Sequence, residues 1–380
     1  MTLTPSADPG DLTGIGESEL RLTMGVEEEF VLADPDSGAP FLGNSAVVAA
    51  GQALGIDLQL ELSRCQIETA TPVCTEWGDL RAEVRRARAL TAAAAARSGA
   101  ALLAVGVPPF GRPPRAITDL PRYRRLAEHY GQLGEQIICG AHVHIGIPDR
   151  EVAVQVSNHL RPWLPALLAL TANSPIIAGR DTGYASWRHM LWARWPGAGP
   201  PPYFESAGHY DTEVAEMLEH EVILDPAMIY WDVRVSAHLP TVEVRVADVP
   251  ATVEETVLLA VLVRALVAAA LRAIRGGHRA PRVDPHRLRS AYWRAARDGI
   301  TGHGIDPASG CLVPATEPIL RLLDHIRPVL EAAGDYHSTQ TEVMRIFANG
   351  NGAGRQRRAL QAGTLPDVLD LLVRSTTDTA

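Results

Sequence analysis

Thr23-Met-Gly-Val-Glu-Glu-Glu-Phe-Val-Leu32 sets three consecutive glutamates inside an otherwise mostly apolar run. Read as a strand, it turns successive side chains to opposite faces, so Val26, Glu28 and Phe30 share one side while Glu27 and Glu29 share the other. Glutamate is poor strand material, and like charges on one face repel, so the pair needs a compensating cation, a proton or open water. A divalent metal serves best. Alone, a Glu-x-Glu is most simply the solvated face of an edge strand, because charged residues are mostly exposed.

Recurrence changes that reading. Gln66-Ile-Glu68, His142-Val-His-Ile-Gly-Ile147 and Thr241-Val-Glu-Val-Arg-Val246 repeat the pattern, with polar, ligand-type side chains alternating with aliphatic ones at period two. Each buries aliphatic residues on one face and offers Glu, His or Arg on the other. Joined in one antiparallel sheet, the four segments give a greasy side for helices and a polar side dense with oxygen and nitrogen ligands. That polar face is the candidate active site.

The whole chain is compatible with an enzyme of ordinary composition. Its 380 residues are 46% hydrophobic and 21% charged, and the net charge of −9 argues against a general nucleic-acid surface. Basic residues between Arg81 and Arg88 fall at spacings that suit a solvated helix face. The four cysteines, Cys65, Cys74, Cys139 and Cys311, form no Cys-x-x-Cys pair, which points to a reducing, cytoplasmic setting. Met1 to Leu20 lacks the apolar core of a signal peptide and reads as a disordered lead-in over 1–20. The apolar run Val257–Leu271 is interrupted by Arg264 and is too short to span a bilayer, so it reads as a buried helix. The expected partners are small molecules, with no nucleic acid and no membrane; a homo-oligomer stays open.

Further expectations follow along the chain. Asp57–Glu68 is expected to be a second strand, Asp79–Ala96 a helix with Asp79 at its N-cap, and Ala101–Val107 a buried strand. Helices are expected over Leu120–Leu133 and, unbroken, over Glu151–Leu170. The Pro/Gly-rich stretch from Trp195 to Pro202 is expected to form a wall or lid of the site. Asp232–Ala237 and Thr241–Val246 pair as a hairpin that puts Glu243 and Arg245 on the polar face. From Thr252 the pattern is helical, through Arg275, then Pro285–Arg297, Pro314–Ala332 and Thr339–Phe347. The strands fall mostly before residue 250 and no internal boundary shows, so 21–380 is expected to be a single α+β domain with a helical C-terminal third.

Nucleotide signatures of the P-loop and dinucleotide-binding types are absent, and the glycine-rich stretch from Asn349 to Arg355 reads as a helix-terminating loop. His142-x-His144 lacks the glutamate a cupin needs and the βα units an amidohydrolase needs. Ligation by Glu27, Glu29, Glu68 and Glu243, with at most one or two imidazoles, suits Mg²⁺ or Mn²⁺. Arg245 beside Glu243 makes sense as a clamp on a transferring phosphoryl group, with a plain ion pair as the structural alternative. A metal-dependent amidohydrolase-type enzyme using His142, His144 and the carboxylates remains the alternative, followed by a non-catalytic metal- or nucleotide-binding protein.

Gly25-Val-Glu-Glu-Glu-Phe30, Gln66-Ile-Glu-Thr-Ala-Thr-Pro72, Gly140-Ala-His-Val-His-Ile-Gly146, Asn173-Ser-Pro175, Gly179-Arg-Asp-Thr-Gly-Tyr184, Ser186-Trp-Arg188, Glu243-Val-Arg245 and Asp248-Val-Pro250 occur in that order. Together they resemble the type 2 glutamate–cysteine ligase family, in its bacterial carboxylate–amine ligase branch, over about 22–375. The resemblance implies a glutamine-synthetase-like fold, a curved antiparallel sheet forming a funnel for ATP and metal. It also implies amide formation of the γ-glutamylcysteine type from small-molecule carboxylate and amine substrates, through an acyl phosphate, with glutamate plus cysteine as one candidate pair. By the same resemblance Glu27, Glu29, Glu68, His142 and Glu243 would be metal ligands, Arg245 would touch the phosphoryl group and Arg188 a substrate carboxylate or phosphate. His144 would line the nucleotide site.

Overall fold

The computed structural model describes residues 22–111 and 116–377. The expected lead-in over 1–20 lies outside them. Along the chain come β1 (Met24–Ala33), α1 (Asn44–Ala53), β2 (Gln59–Leu60), β3 (Gln66–Ala70), α2 (Trp77–Arg97), β4 (Ala101–Leu103), α3 (Pro121–Tyr130), β5 (Gly140–Gly146), α4 (Arg150–Leu160), α5 (Leu164–Thr171), α6 (Trp187–Trp192), α7 (Ala207–Glu219), β6 (Val233–Val235), β7 (Thr241–Asp248), α8 (Val253–Arg275), α9 (Pro285–Asp298), α10 (Glu317–Ala333), α11 (Tyr336–Asn349), α12 (Gly352–Ala362) and α13 (Leu365–Thr377).

The four inverted segments become β1, β3, β5 and β7 of one sheet, in the order β6-β7-β5-β1-β3-β2, with β4 paired to the far end of β1. All these pairings are antiparallel. On the greasy face Val26, Val143, Ile145, Val242 and Val244 are buried in one core with α4, α5 and α8. Beyond the middle of β1, Phe30, Leu32 and Leu102 join α1, α2 and α13 in a second core. Among the described residues α8 alone is long and apolar enough to cross a membrane, yet 72% of its most apolar window is buried in protein. Its Arg264 donates to Thr75 O and to Asp335, which removes the cost of a charge in that helix.

Alternation puts Glu28 on the greasy face, where an unpaired carboxylate is untenable. Arg88 of α2 meets it with two bonds, 3.0 Å from Nε and 2.6 Å from Nη2, and the Thr256 hydroxyl adds a third at 2.6 Å. The remaining guanidinium donors reach the carbonyls of Pro250, Ala251 and Thr376. One buried ion pair thus ties β1 to α2, to the end of β7, to α8 and to α13.

Several local expectations are corrected. Asp57–Glu68 is not one strand: Ser63-Arg64-Cys65 reverses the chain, and β2 folds back on β3 with Gln59 opposite Glu68. The buried strand expected over 101–107 is only three residues long. Glu76, not Asp79, occupies the N-cap of α2, without a side-chain bond, and Asp79 lies in the first turn, where its charge suits the helix dipole. Glu151–Leu170 is broken by a 3₁₀ turn at Arg161–Trp163, because Pro162 and Pro165 remove the donors a continuous helix needs. The loop at 349–355 ends α11 and also starts α12, since Asn351 accepts from Gly354 N. Helices α1, α6, α7, α12 and α13 depart from the sequence reading, which has no helix there.

Replacing Arg88 with methionine should strand Glu28 and destabilise the fold by roughly 3–5 kcal/mol, read from the urea midpoint. Adding Glu28→Leu to that variant should recover most of the loss. A single variant as stable as wild type would show that the pair does not hold these elements.

Candidate active site

Register assembles the polar face. Glu29 lies opposite Glu68, Glu27 opposite His142, and Glu243 opposite His144, so three cross-strand pairs from four strands bring the ionisable groups together. His142 Nδ1 is 3.0 Å from Glu27, His144 Nε2 is 3.3 Å from the other Glu27 oxygen, and His144 Nδ1 is 2.9 Å from Thr241 Oγ1. Arg245 contacts Glu243 directly, and Arg234 of β6 grips the same carboxylate at 2.8 and 3.1 Å.

Two ligand groups result, each with donor atoms within 4.8 Å of one another: Glu27, His142 and Glu243, and Glu29, Glu61 and Glu68. Their electrostatics differ. Burial alone would raise Glu27 and Glu243, but His142 and His144 hold the first, and Arg245 and Arg234 the second, well below the usual carboxylate range. Burial and the Arg245 charge push His142 down to about 4, so the imidazole is neutral and free to ligate. In the other group burial and the charge of Glu61 push Glu29 up to about 7, and burial with the neighbouring carboxylates drives Glu68 well above its ordinary value. The first group is neutralised from within the protein. The second must take up protons or a cation, and its all-oxygen donor set fits a hard divalent ion.

Glu27, Glu29, Glu68, His142, His144, Glu243 and Arg245 therefore meet on one face, as the sequence predicts. Arg188 stands apart. It is 2% exposed, and its guanidinium donates to the carbonyls of Arg245 and Val246. Glu61 and Arg234 were missed. Arg234 shares the parity of Glu243 across the expected hairpin, so the signal was present. Glu61 falls before the chain reversal, and a continuous strand would have put it on the face opposite Glu68.

Behind the face, Asp248 gathers distant motifs. Its carboxylate accepts from Asn173 N at 2.8 Å and from the hydroxyls of Ser174 and Ser186 at 2.7 Å each. Ser174 in turn accepts from Arg188 N, which fixes the start of α6. The Trp195–Pro202 stretch is tied down: Trp195 packs on Tyr130, Trp192 and Tyr230, and Ala198–Gly199 pair with Tyr230–Trp231. Trp192 lies 5.9 Å from the Arg245 guanidinium, which places this aromatic group beside the polar face.

Residues 23–370 match the glutamate–cysteine ligase family 2. The chain belongs to that family. A Mycobacterium sp. (strain KMS) relative provisionally named glutamate–cysteine ligase 2-2 is 53% identical over 357 residues, which cover 93% of this chain and 98% of the relative. A Nocardia farcinica relative provisionally named glutamate–cysteine ligase 2-1 is 53% identical, covering 90% of this chain and 89% of its own. The solved glutamate–cysteine ligase of Francisella tularensis, in complex with AMP, superposes with a TM-score of 0.71 at 13% identity, over 94% of this chain and 89% of that one. The family 2 fold expected from the motifs is thus shared with a solved ligase, and ligase is the reaction class that membership gives this chain.

The acid group makes metal-free stability fall with pH. A carboxyl raised to about 7 binds more protons folded than unfolded between its ordinary value and 7, so stability is lost as pH rises through that window. Asp232, also pushed up to about 7 by burial, adds to the loss. His142 acts oppositely, but only below its ordinary value near 6.5. From pH 6.5 to 8 in EDTA, the melting temperature should drop by roughly 5 °C. Glu29→Gln should flatten that slope; an unchanged slope in the variant would contradict the assignment.

Proposed function

We propose that this family 2 protein is an ATP-dependent carboxylate–amine ligase working through an acyl phosphate. The carrying observation is the pairing, on one sheet face, of an uncompensated acid group, Glu29, Glu61 and Glu68, with an arginine-compensated group, Glu27, His142 and Glu243. Magnesium or manganese bound there would neutralise polyphosphate charge as a Lewis acid. The six residues named would hold it, and His144, bonded to Glu27, would fix that ligand and line the nucleotide site.

The chain's own residues account for the other requirements. A carboxylate oxygen attacks the γ-phosphorus of ATP and ADP leaves; the amine nitrogen then attacks the acyl carbon, phosphate leaves and the amine proton is released. Charge builds on the phosphoryl oxygens in the first step. Arg245, on the face beside Glu243 and with its Nε unpartnered, is placed to meet that charge. Arg234 keeps Glu243 ionised independently, so Arg245 can turn toward substrate without stranding a buried carboxylate. Trp192, Trp195 and Tyr230 limit water access, which matters because water would hydrolyse the acyl phosphate. Arg188 acts through the main chain of β7. All these elements draw on one sheet, in keeping with a single domain over 21–380.

With Mg²⁺, ATP and a pool of amino acids and amines, ADP should form only when an amine is present. Using ¹⁸O-labelled carboxylate substrate, one label should appear in the released phosphate. Label in AMP, or none in phosphate, would rule out the acyl phosphate, and amine-independent hydrolysis without nucleotide would favour the amidohydrolase reading.

Arg245→Lys keeps the charge but loses the planar fork, and should lower kcat by about 10²-fold. A change confined to the KM for ATP would instead mark Arg245 as a ground-state contact or a plain ion pair.

A further inference from the structure

We infer that Asp232 is a positioning residue which, together with Arg188, holds Arg245 in its working orientation by gripping the main chain on both sides of it. The inference rests on the reading of Arg245 given above. It starts from an irregularity in β7. Pairing with β5 runs from Thr241 to Val244, slips, and resumes at Ala247, so Arg245 and Val246 are the residues the regular ladder leaves out. Their main-chain groups are buried and need other partners.

Those partners are Asp232 and Arg188. Arg245 N donates to the Asp232 carbonyl at 2.8 Å. Arg188 Nη2 donates to Arg245 O at 3.3 Å, and Nη1 to Val246 O at 3.5 Å. The guanidinium is seated over Gly140, where any Cβ would lie 2.3 Å from Nη2. Glycine is therefore required on β5 for Arg188 to reach the bulge. Trp192 closes the arrangement, with its ring 5.7 Å from the Arg188 guanidinium and 5.9 Å from that of Arg245.

The Asp232 side chain supplies the second half of the grip. It is 0% exposed, and its hydrogen-bonding neighbour is the Tyr292 hydroxyl. The groups facing it are Arg188 of α6, Arg245 of β7 and the Tyr292 hydroxyl of α9. Burial disfavours the ionised carboxylate, and the two guanidinium charges and the Tyr292 hydroxyl favour it. Its carbonyl fixes the backbone from which Arg245 projects, and the carboxylate beside it attracts both guanidinium groups.

The test is a pair of double-mutant cycles. Asp232→Asn and Arg188→Lys are each made alone and in an Arg245→Lys background, with kcat, the KM for ATP and the melting temperature measured for all. Acting through Arg245, each single change should lower kcat at least about 10-fold with KM within about 2-fold, and neither should lower kcat by more than about 2-fold once Arg245 is lysine. Losses of equal size in both backgrounds, or an unchanged kcat in the singles, would overturn the positioning role. If Arg245→Lys alone leaves kcat intact, the phosphoryl reading itself falls and takes the clamp with it, a pattern distinct from the first. Should Asp232→Asn fail to fold, Gly140→Ala displaces the Arg188 guanidinium from a different strand and must give the same non-additive result.

Discussion

Three adjacent glutamates on a strand with one face buried and the other half-buried impose one constraint, that every charge on β1 must be answered where it stands. Each is answered differently. Glu27 is met by the imidazoles of His142 and His144, and Glu28 by the fully buried fork of Arg88. Glu29 has Gly140 N–H as its hydrogen-bond donor, and its high proton affinity shows the compensation to be incomplete. The greasy face can solve its problem only with a permanent structural pair, because no solvent or ligand reaches it. The polar face leaves its problem open on one side, and that opening is where a cation can enter.

The constraint on β1 spreads to the rest of the chain through Arg88 and Asp248. Arg88 draws the Pro250–Ala251 carbonyls and the last turn of α13 onto the back of the sheet. Two residues before Pro250, Asp248 gathers Asn173, Ser174 and Ser186. The end of β7 is therefore pinned from both sides of the sheet, and the irregularity at Arg245–Val246 is accommodated by specific donors instead of slipping. Segments far apart in sequence meet here because each supplies a bond that this one strand end lacks.

The sheet and most of its ligand face were legible in the sequence, because an inverted alternation fixes both the element and the face each residue takes. Alternation says nothing about what lies across a face. Glu28 could be assigned to the greasy side, but Arg88 lies on a helix sixty residues away and reads locally as one more solvated arginine. Glu61 was lost for a related reason, since a reversal at Ser63–Cys65 resets the parity and the residues there are polar in either conformation. Arg188 carries a motif but no sign of its depth, and only the structure shows its guanidinium on the carbonyls of β7. The break at Arg161–Trp163 was legible, since Pro162 and Pro165 are explicit, and the apolar pattern outweighed them.

Antiparallel register also explains why so distant a sequence as the Francisella tularensis ligase keeps the fold at 13% identity. Cross-strand neighbours stand about 5 Å apart whatever their identity, a spacing that lets two or three carboxylates converge on a single ion. Once Glu27, Glu29, Glu68 and Glu243 hold their register, the convergence of their carboxylates follows from the backbone and needs little from the rest of the chain. The aromatic group beside the face has no such scaffold. Trp192, Trp195 and Tyr230 take their positions from a short helix, a two-residue parallel pairing and ring packing. Those supports tolerate substitution far better than a ladder does, so the carboxylate face can stay fixed while the packing beside it drifts.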